Sequence, residues 1–361
     1  MSLNPLVGHQ EQAAQVLAAL RDDRLPQMIL VSGKQGVGKQ RFGLWMAQAI
    51  LCQEGGKRPC GSCWSCAQVL GLSHPDLHWF VPVLRPKAAD PDKAVEELAE
   101  AVGALVEERR QKPLWTTPEG MAGHFVATAR LLQRRAALTP VVGRKKVFLL
   151  GEADRLVPQE ASQEAANALL KLLEEPPVDS QFILTVVDPN RLLPTVRSRL
   201  VPLRLGRLTD EEVEGYLTRH AGLTGADART RAARAGGSIG EALSVGDQAT
   251  KSARAADELL RSILNGPAGR AERALKQGPW AARGDFTAML DSLAEVLSEA
   301  ARGAAGQPTR MALPEPLRSP RPVSAYVTAQ TRVLAVREAA QGNVNPQLLL
   351  AVLAEDLAEV L

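Results

Sequence analysis

The stretch Q-M-I-L-V-S-G-K-Q-G-V-G-K-Q, from Gln27 to Gln40, decides the fold of this 361-residue chain. Its first six residues, up to Ser32, predict a short buried strand, and a helix is expected to begin at Lys39. A strand, a glycine-rich turn and a helix in this order are the context in which G-x-x-x-x-G-K forms a phosphate-binding loop. The residues expected to face a nucleotide are Gly33, Gly36, Gly38 and Lys39.

Two positions that would support Mg²⁺ in an active nucleotide site are altered. Gln40 stands where the motif has a serine or threonine whose hydroxyl binds the metal. A second buried strand, predicted at Lys146 to Leu150, leads into Gly151 and Glu152, where an ATPase has an aspartate and then a glutamate. We therefore expect no hydrolysis here, and either a purely structural turn or nucleotide binding without turnover.

All four cysteines of the chain lie within fifteen residues, in the spacing C-x7-C-x2-C-x2-C. Thiols clustered in this way favour a metal over disulfides in a reducing compartment, and four thiolates complete a tetrahedral structural Zn²⁺ site. His74 and His78 are alternative ligands, but we expect a capping residue and a surface residue there; simple packing of buried cysteines is the other alternative. The predicted zinc ligands are Cys52, Cys60, Cys63 and Cys66.

The composition is that of an ordinary globular protein, with 45% hydrophobic and 23% charged residues. The sequence contains no apolar run long enough to span a membrane and no signal-peptide core at its start, so a cytoplasmic location is expected. The formal net charge of +3 neither requires nor excludes nucleic acid.

Strand and helix signals alternate over about the first 205 residues, which predicts an α/β fold with a largely parallel sheet. From Thr209 onward only helical patterns remain, interrupted by a Pro-, Arg- and Gly-rich loop at Arg302 to Pro322. The other predicted elements are a helix at Glu11 to Leu20, a helix at Ala161 to Leu173, a strand at Gln181 to Val187, and a closing helix after Asn345 with an apolar stripe of Leu349, Leu353, Leu357 and Val360.

Taken together, these motifs resemble the sliding-clamp loader subunits of bacteria, which belong to the AAA+ family. The cysteine segment is followed by H-P-D at 74–76, and later come N-A-L-L-K-L-L-E-E-P-P at 167–177 and T-V-R-S-R-L at 195–200. Specific motifs carry the resemblance as far as about residue 245, and only helical character carries it beyond.

The resemblance implies a RecA-like AAA+ domain with a zinc module, a small helical lid domain and an all-helical C-terminal collar domain for oligomerisation. The expected division is 1–207 for the first domain, with its zinc module at 52–66 and a helical insertion at about 88–119, then 208–247 for the lid and 248–361 for the collar.

Within that family, the chain departs from the ATP-hydrolysing motor subunits of gamma/tau type. A motor has serine or threonine at position 40, aspartate at 151 and, in the lid motif G-S-x-R-x-A-L, an arginine where this chain has Gly240. The resemblance therefore implies a non-hydrolysing (stator) subunit. It also implies that Arg199, in a variant of the motif S-R-C with Leu200 in the cysteine's place, is an arginine finger acting in trans on a neighbour's ATP.

The implied partners are the other clamp-loader subunits (gamma/tau-type motors and a delta-type wrench), with the sliding clamp and primed DNA reached through the complex. Neither ATP hydrolysis by the chain alone nor a membrane partner is expected. Three alternatives stay open: a gamma/tau-like motor, a zinc-dependent DNA-binding repair protein, and, for Arg197 and Arg199, an ordinary solvated loop.

Overall fold

The computed structural model describes residues 3–111, 122–156, 164–244, 248–277, 283–309, 313–319, 321–340 and 344–361. The chain forms two compact units, Met1–Leu243 and Ser244–Leu361. The finer division at 207/208 between a first domain and a lid stays a prediction.

A five-stranded parallel sheet lies at the centre of the first unit, in the order β2-β3-β4-β1-β5. Ile29 lies beside Ile183 on one side and beside Val201 on the other, so the predicted first strand is central. The parallel α/β sheet expected from the sequence is confirmed. The strands are β1 Met28–Ser32, β2 Leu77–Phe80, β3 Lys146–Leu150, β4 Ser180–Val186 and β5 Val201–Arg204.

Helices cover both faces of this sheet. Successive strand residues point to opposite faces, so Met28 and Leu30 join one apolar cluster while Ile29 and Val31 join another. Because both faces of the sheet are buried, the inner strands consist largely of consecutive apolar residues. The helices are α1 Gln10–Arg21, α2 Lys39–Leu51, α3 Trp64–Leu70, α4 Pro91–Gln111, α5 Val126–Ala136, α6 Glu164–Glu174, α7 Pro194–Arg197, α8 Asp210–His220, α9 Gly225–Ala235 and α10 Ile239–Ser244.

The predicted helical insertion at 88–119 corresponds to α4, and its residues 112–119 lie outside the described residues. Val95, Leu98 and Val102 of α4 are buried in the first apolar cluster. The insertion therefore packs as part of the domain core, and its C-terminal end reaches the edge of the phosphate loop.

The second unit consists of helices in the part that the structure describes: α11 Gln248–Leu264, α12 Gly266–Leu275, α13 Arg283–Ala304, α14 Val323–Ala339 and α15 Pro346–Val360. The side chain of Asn345 accepts a hydrogen bond from the Gln347 amide at 2.9 Å and caps α15, as its position before Pro346 predicts. Leu353 and Leu357 of the predicted stripe are fully buried in the core of this unit. The predicted loop at 302–322 begins later than expected, because α13 extends to Ala304.

Across the described ranges, none of the helices combines the length and apolar character that crossing a bilayer requires.

Candidate functional site

The glycine loop has the expected backbone form. Gly36 and Gly38 have φ angles of 73° and 100°, in the left-handed region that glycine tolerates, and α2 begins at Lys39 as predicted. The sequence therefore builds the turn of a phosphate-binding loop even where its chemistry has changed.

Lys39 is turned back onto the loop itself. Its Nζ donates to the carbonyl oxygens of Gly33 at 2.9 Å and Lys34 at 2.8 Å. Burial lowers the pKa of Lys39 to about 8, against the raising effect of the nearby Asp154 and Glu152 carboxylates. The lysine that would reach phosphates is thus already satisfied by protein carbonyls.

The N-terminal end of α10 lies directly on this loop. The Gly240 amide donates to the Gly36 carbonyl at 3.0 Å, and a Cβ atom built on Gly240 would lie 2.8 Å from the Gly36 Cα. Lys34 and Glu241 add an ion pair at 2.8 Å. A side chain at position 240, such as the arginine of the motor lid motif, has no room in this arrangement.

The two altered metal positions fit one another. A Cβ atom on Gly151 would lie 2.7 Å from Oε1 of Gln40, so the Gln40 amide fills the space into which an aspartate at 151 would extend. The glutamine and the glycine are therefore complementary changes, which the sequence shows only as two separate losses.

Two further side chains complete this filled site, and no sequence motif marks either of them. Gln40 Oε1 accepts hydrogen bonds from Trp79 Nε1 at 3.2 Å and from Arg109 Nη1 at 3.3 Å. The Arg109 guanidinium carbon lies 4.1 Å from the centroid of the Trp79 ring. Arg109, near the end of α4, is only 3% exposed, and burial lowers its pKa to about 8 while Glu152 opposes the shift.

ATP with Mg²⁺ does not fit these residues. The hydroxyl and the aspartate that hold the metal are replaced by Gln40 and Gly151, and a protein guanidinium lies beside them. The metal ion that such residues hold neutralises the charge that develops during phosphoryl transfer.

His124 supports the backbone at this point of the site. It is completely buried, and its Nε2 lies 2.7 Å from the Gly151 carbonyl oxygen. Burial lowers the pKa of His124 to about 4, with a smaller lowering effect from Arg155. The ring is therefore neutral near pH 7 and its Nε2–H donates to that carbonyl.

The four cysteines come together as predicted. Their Sγ atoms all lie within 4.8 Å of one another, with Cys52 and Cys63 at 4.0 Å and Cys60 and Cys66 at 3.8 Å. Tetrahedral zinc with Zn–S bonds of about 2.3 Å requires sulfur pairs about 3.8 Å apart, so this donor set fits the metal.

Backbone amides in this cluster point at the sulfur atoms. The Cys63 amide donates to Cys60 Sγ at 3.3 Å, and the Cys66 amide donates to Cys63 Sγ at 3.4 Å. Such bonds lower the pKa of the Cys60 thiol to about 6. Cys52 lies at the end of α2 and Cys63 caps the start of α3, so one ion would tie the two helices together.

The two histidines that follow the cluster in the sequence have structural roles. Nε2 of His74 lies 3.1 Å from the Ser65 hydroxyl, and its Nδ1 accepts from the Asp76 amide at 3.1 Å. His78, expected to be a surface residue, lies half-buried in the edge strand β2, and its ring stacks on that of Phe148 with 4.8 Å between the ring centroids.

Arg199 follows α7 and lies at the surface of the first unit. Its Nη2 donates to Glu174 Oε1 at 2.6 Å and its Nη1 donates to the Thr195 carbonyl at 2.6 Å. About one third of its side chain is exposed, against half of Glu174. Leu200 is buried in the core, an environment that also suits the smaller apolar side chain of cysteine. The role of Arg199 stays a prediction.

Comparison with known proteins supports the resemblance drawn from these motifs. The family model described as "DNA polymerase III, delta subunit" matches residues 8–209. The chain is 30% identical to the DNA polymerase III subunit delta' of Bacillus subtilis, over 55% of this chain and 48% of the relative. It is 32% identical to the delta' subunit of Pseudomonas aeruginosa, over 48% of this chain and 40% of the relative.

Proteins named as tau/gamma subunits are also similar. The chain is 29% identical to the DNA polymerase III subunit tau/gamma of Haemophilus influenzae, over 59% of this chain and 25% of that protein. The chain therefore spans half or less of the length of the curated relatives it matches.

Proposed function

The chain belongs to the DNA polymerase III, delta subunit family, and from that premise we propose that it is the non-hydrolysing, delta-prime-type stator of a sliding-clamp loader. In this role it helps to open the ring clamp and load it onto primed DNA. ATP is hydrolysed by neighbouring subunits, and the chain alone is not an ATPase.

The observation that carries this proposal is the fit between Gln40 and Gly151. A motor needs a metal between these positions, and here the amide of one occupies the space beside the other. Lys39, bonded to loop carbonyls, and Gly240, packed on Gly36, support the same conclusion independently. The motor alternative, to which the tau/gamma similarity points, is at odds with all of these contacts.

The proposed partners follow from the family. Because the relatives are named as subunits of DNA polymerase III, we place this chain in a cytoplasmic complex with gamma/tau-type motors and a delta-type subunit. The clamp and primed DNA are reached through that complex. No DNA-binding role of the thiolate cluster is needed, since zinc there would be structural.

Arg199 is the residue through which the chain would act on a neighbour's ATP. A guanidinium remains charged at all relevant pH values and presents a planar fork that matches phosphate oxygens. Glu174 orients that fork in the free chain. On docking, Arg199 would exchange the Glu174 carboxylate for phosphate oxygens, which carry more negative charge.

The experiment that tests the proposed function is reconstitution of the loader. Motor and delta-type subunits, clamp and primed DNA are combined with and without this chain, and loaded clamps are counted. We expect a stable complex containing the chain, and clamp loading that depends on it. A chain that neither joins the complex nor changes loading would refute the assignment.

A further inference from the structure

The helical insertion places a buried cation at the altered metal position. Arg109 is held there by two contacts, a hydrogen bond to Gln40 and stacking on Trp79, and the charge of Glu152 favours its cationic form. We infer that α4 acts as a lock, in which Arg109 is a permanent protein substitute for the divalent cation of a nucleotide site. The inference deepens the proposed function and rests on it for the absence of hydrolysis.

The charges around the end of β3 support this lock. Glu152 and Asp154 follow β3, where a motor keeps its acidic residues, and both are largely removed from water. Asp154 Oδ1 is buried and has no hydrogen-bond partner among the residues that the structure describes. Buried carboxylates need compensating cations when the metal is gone. Glu152 pairs with the partly exposed Arg155 at 2.8 Å, and its charge also acts on the buried Arg109. Both carboxylates act on the buried Lys39.

The position of α4 supports the lock as well. The end of α4 is held in place, because Leu98 and Val102 anchor the helix in the core and Arg110 donates from its Nη2 to the Leu72 carbonyl at 2.7 Å. This position brings the Arg109 guanidinium within 3.3 Å of Gln40 Oε1. Arginine suits this place better than lysine, since a planar group can stack on an indole ring and donate to an amide at the same time.

If Arg109 occupies the metal position, restoring the two lost metal ligands is not enough to restore Mg²⁺ binding. Restoring the motor residues with Gln40→Thr and Gly151→Asp would remove an acceptor of Arg109 but leave its cation in the metal's place. This double variant is therefore expected to gain no Mg²⁺-dependent nucleotide binding. Adding Arg109→Ala to it removes the competing cation, although the lid contact at Gly240 still covers the loop.

The test measures thermal unfolding and amide hydrogen exchange of the full chain. Arg109→Ala and Arg109→Met, the latter keeping an unbranched stem against Trp79, should each lower Tm by roughly 4–8 °C. Exchange should rise at 33–40 and 151–154. Arg109→Lys should lie between these variants and the wild type.

Lys93→Ala is the matched control, since it removes an exposed cation from the same helix. It should leave both Tm and exchange unchanged. If Arg109→Met, which minimises the lost volume, matches the wild type in Tm and in exchange at 33–40, the lock is refuted. ATP turnover by the wild-type chain would instead refute the proposed function, so the two failures are distinguishable.

Discussion

Nη2 of Arg199 and Oε1 of Glu174 lie 2.6 Å apart, joining the end of α6 to the segment that follows α7. Each half of this pair lies in one of the two later motifs, E-E-P-P and S-R, that link the chain to clamp loaders. The pair is partly exposed, so its own contribution to stability is about 0–1 kcal/mol. The structural effect of this ion pair is to hold the guanidinium in one orientation.

Arg199→Ala should lower clamp loading by the reconstituted complex while leaving assembly intact. Arginine fingers contribute roughly 10³–10⁵ in rate at the site they serve. Because other sites in the complex keep their own fingers, total ATPase should fall only in part. Arg199→Lys should behave like Arg199→Ala, since an ammonium group lacks the planar fork.

Arg197→Ala is the matched control for this experiment. Arg197 is the exposed last residue of α7, two residues before Arg199, and its Nη1 donates to Asn190 Oδ1 at 2.6 Å. It should leave loading unchanged. Intact complexes with Arg199→Ala that load clamps at the wild-type rate would show that Arg199 is a surface residue.

The thiolate cluster should bind one zinc ion per chain. Elemental analysis of the purified protein should give about one equivalent, as four thiolates in tetrahedral geometry predict. Cys63→Ser should reduce the metal content and destabilise the segment between α2 and α3, because structural zinc contributes directly to folding. Gln53→Ala, a substitution of the exposed residue next to Cys52, should alter neither the metal content nor the stability. Metal-free protein of unchanged stability would contradict this assignment.

The contact between α10 and the phosphate loop predicts that Gly→Ala, which ordinarily stabilises a helix, is destabilising at Gly240. Gly→Ala inside a helix ordinarily stabilises by about 1 kcal/mol. Gly103→Ala in α4, where a Cβ meets nothing within 4 Å, should therefore raise Tm slightly. Gly240→Ala should lower Tm instead, because its Cβ would lie 2.8 Å from the Gly36 backbone. Equal effects of the two substitutions would show that the loop is not covered in solution.

Buried His124 predicts a loss of stability in mild acid. Its folded pKa of about 4 lies below the ordinary value of 6.5, so the unfolded chain binds a proton first as the pH falls. Stability from this group is complete above about pH 6.5 and decreases down to about pH 4, by roughly 3 kcal/mol in all. Denaturant unfolding of His124→Gln should show a shallower pH dependence over that window. If the unfolding free energy of His124→Gln depends on pH as steeply as that of the wild type, the burial of a neutral histidine is contradicted.

The sequence predicted the elements whose patterns are local. The loop at 33–38, the start of α2 at Lys39 and the cysteine cluster each depend on residues close together in the chain, and all are found as expected. β5 was missed because Pro202 is unfavourable in a strand; the strand lies at the sheet edge, where proline is tolerated.

The filled metal site could not be predicted because its members are far apart in the chain. Arg109 is one of two adjacent arginines in a charged helix, and Trp79 lies in a short strand that no motif marks. Only the packing of α4 against the sheet brings them to Gln40. The sequence shows that two metal supports are lost, whereas the structure shows what fills their place.

The most direct test of this account is steady-state phosphate release by the pure chain with ATP and Mg²⁺, in the presence of clamp and primed DNA. A gamma/tau-type motor subunit assayed in parallel serves as the positive control. With Gln40 and Gly151 in the metal positions, we expect no release above that of a protein-free control. Turnover by the chain at about 1 s⁻¹ or faster, as is typical of enzymes, would contradict the account.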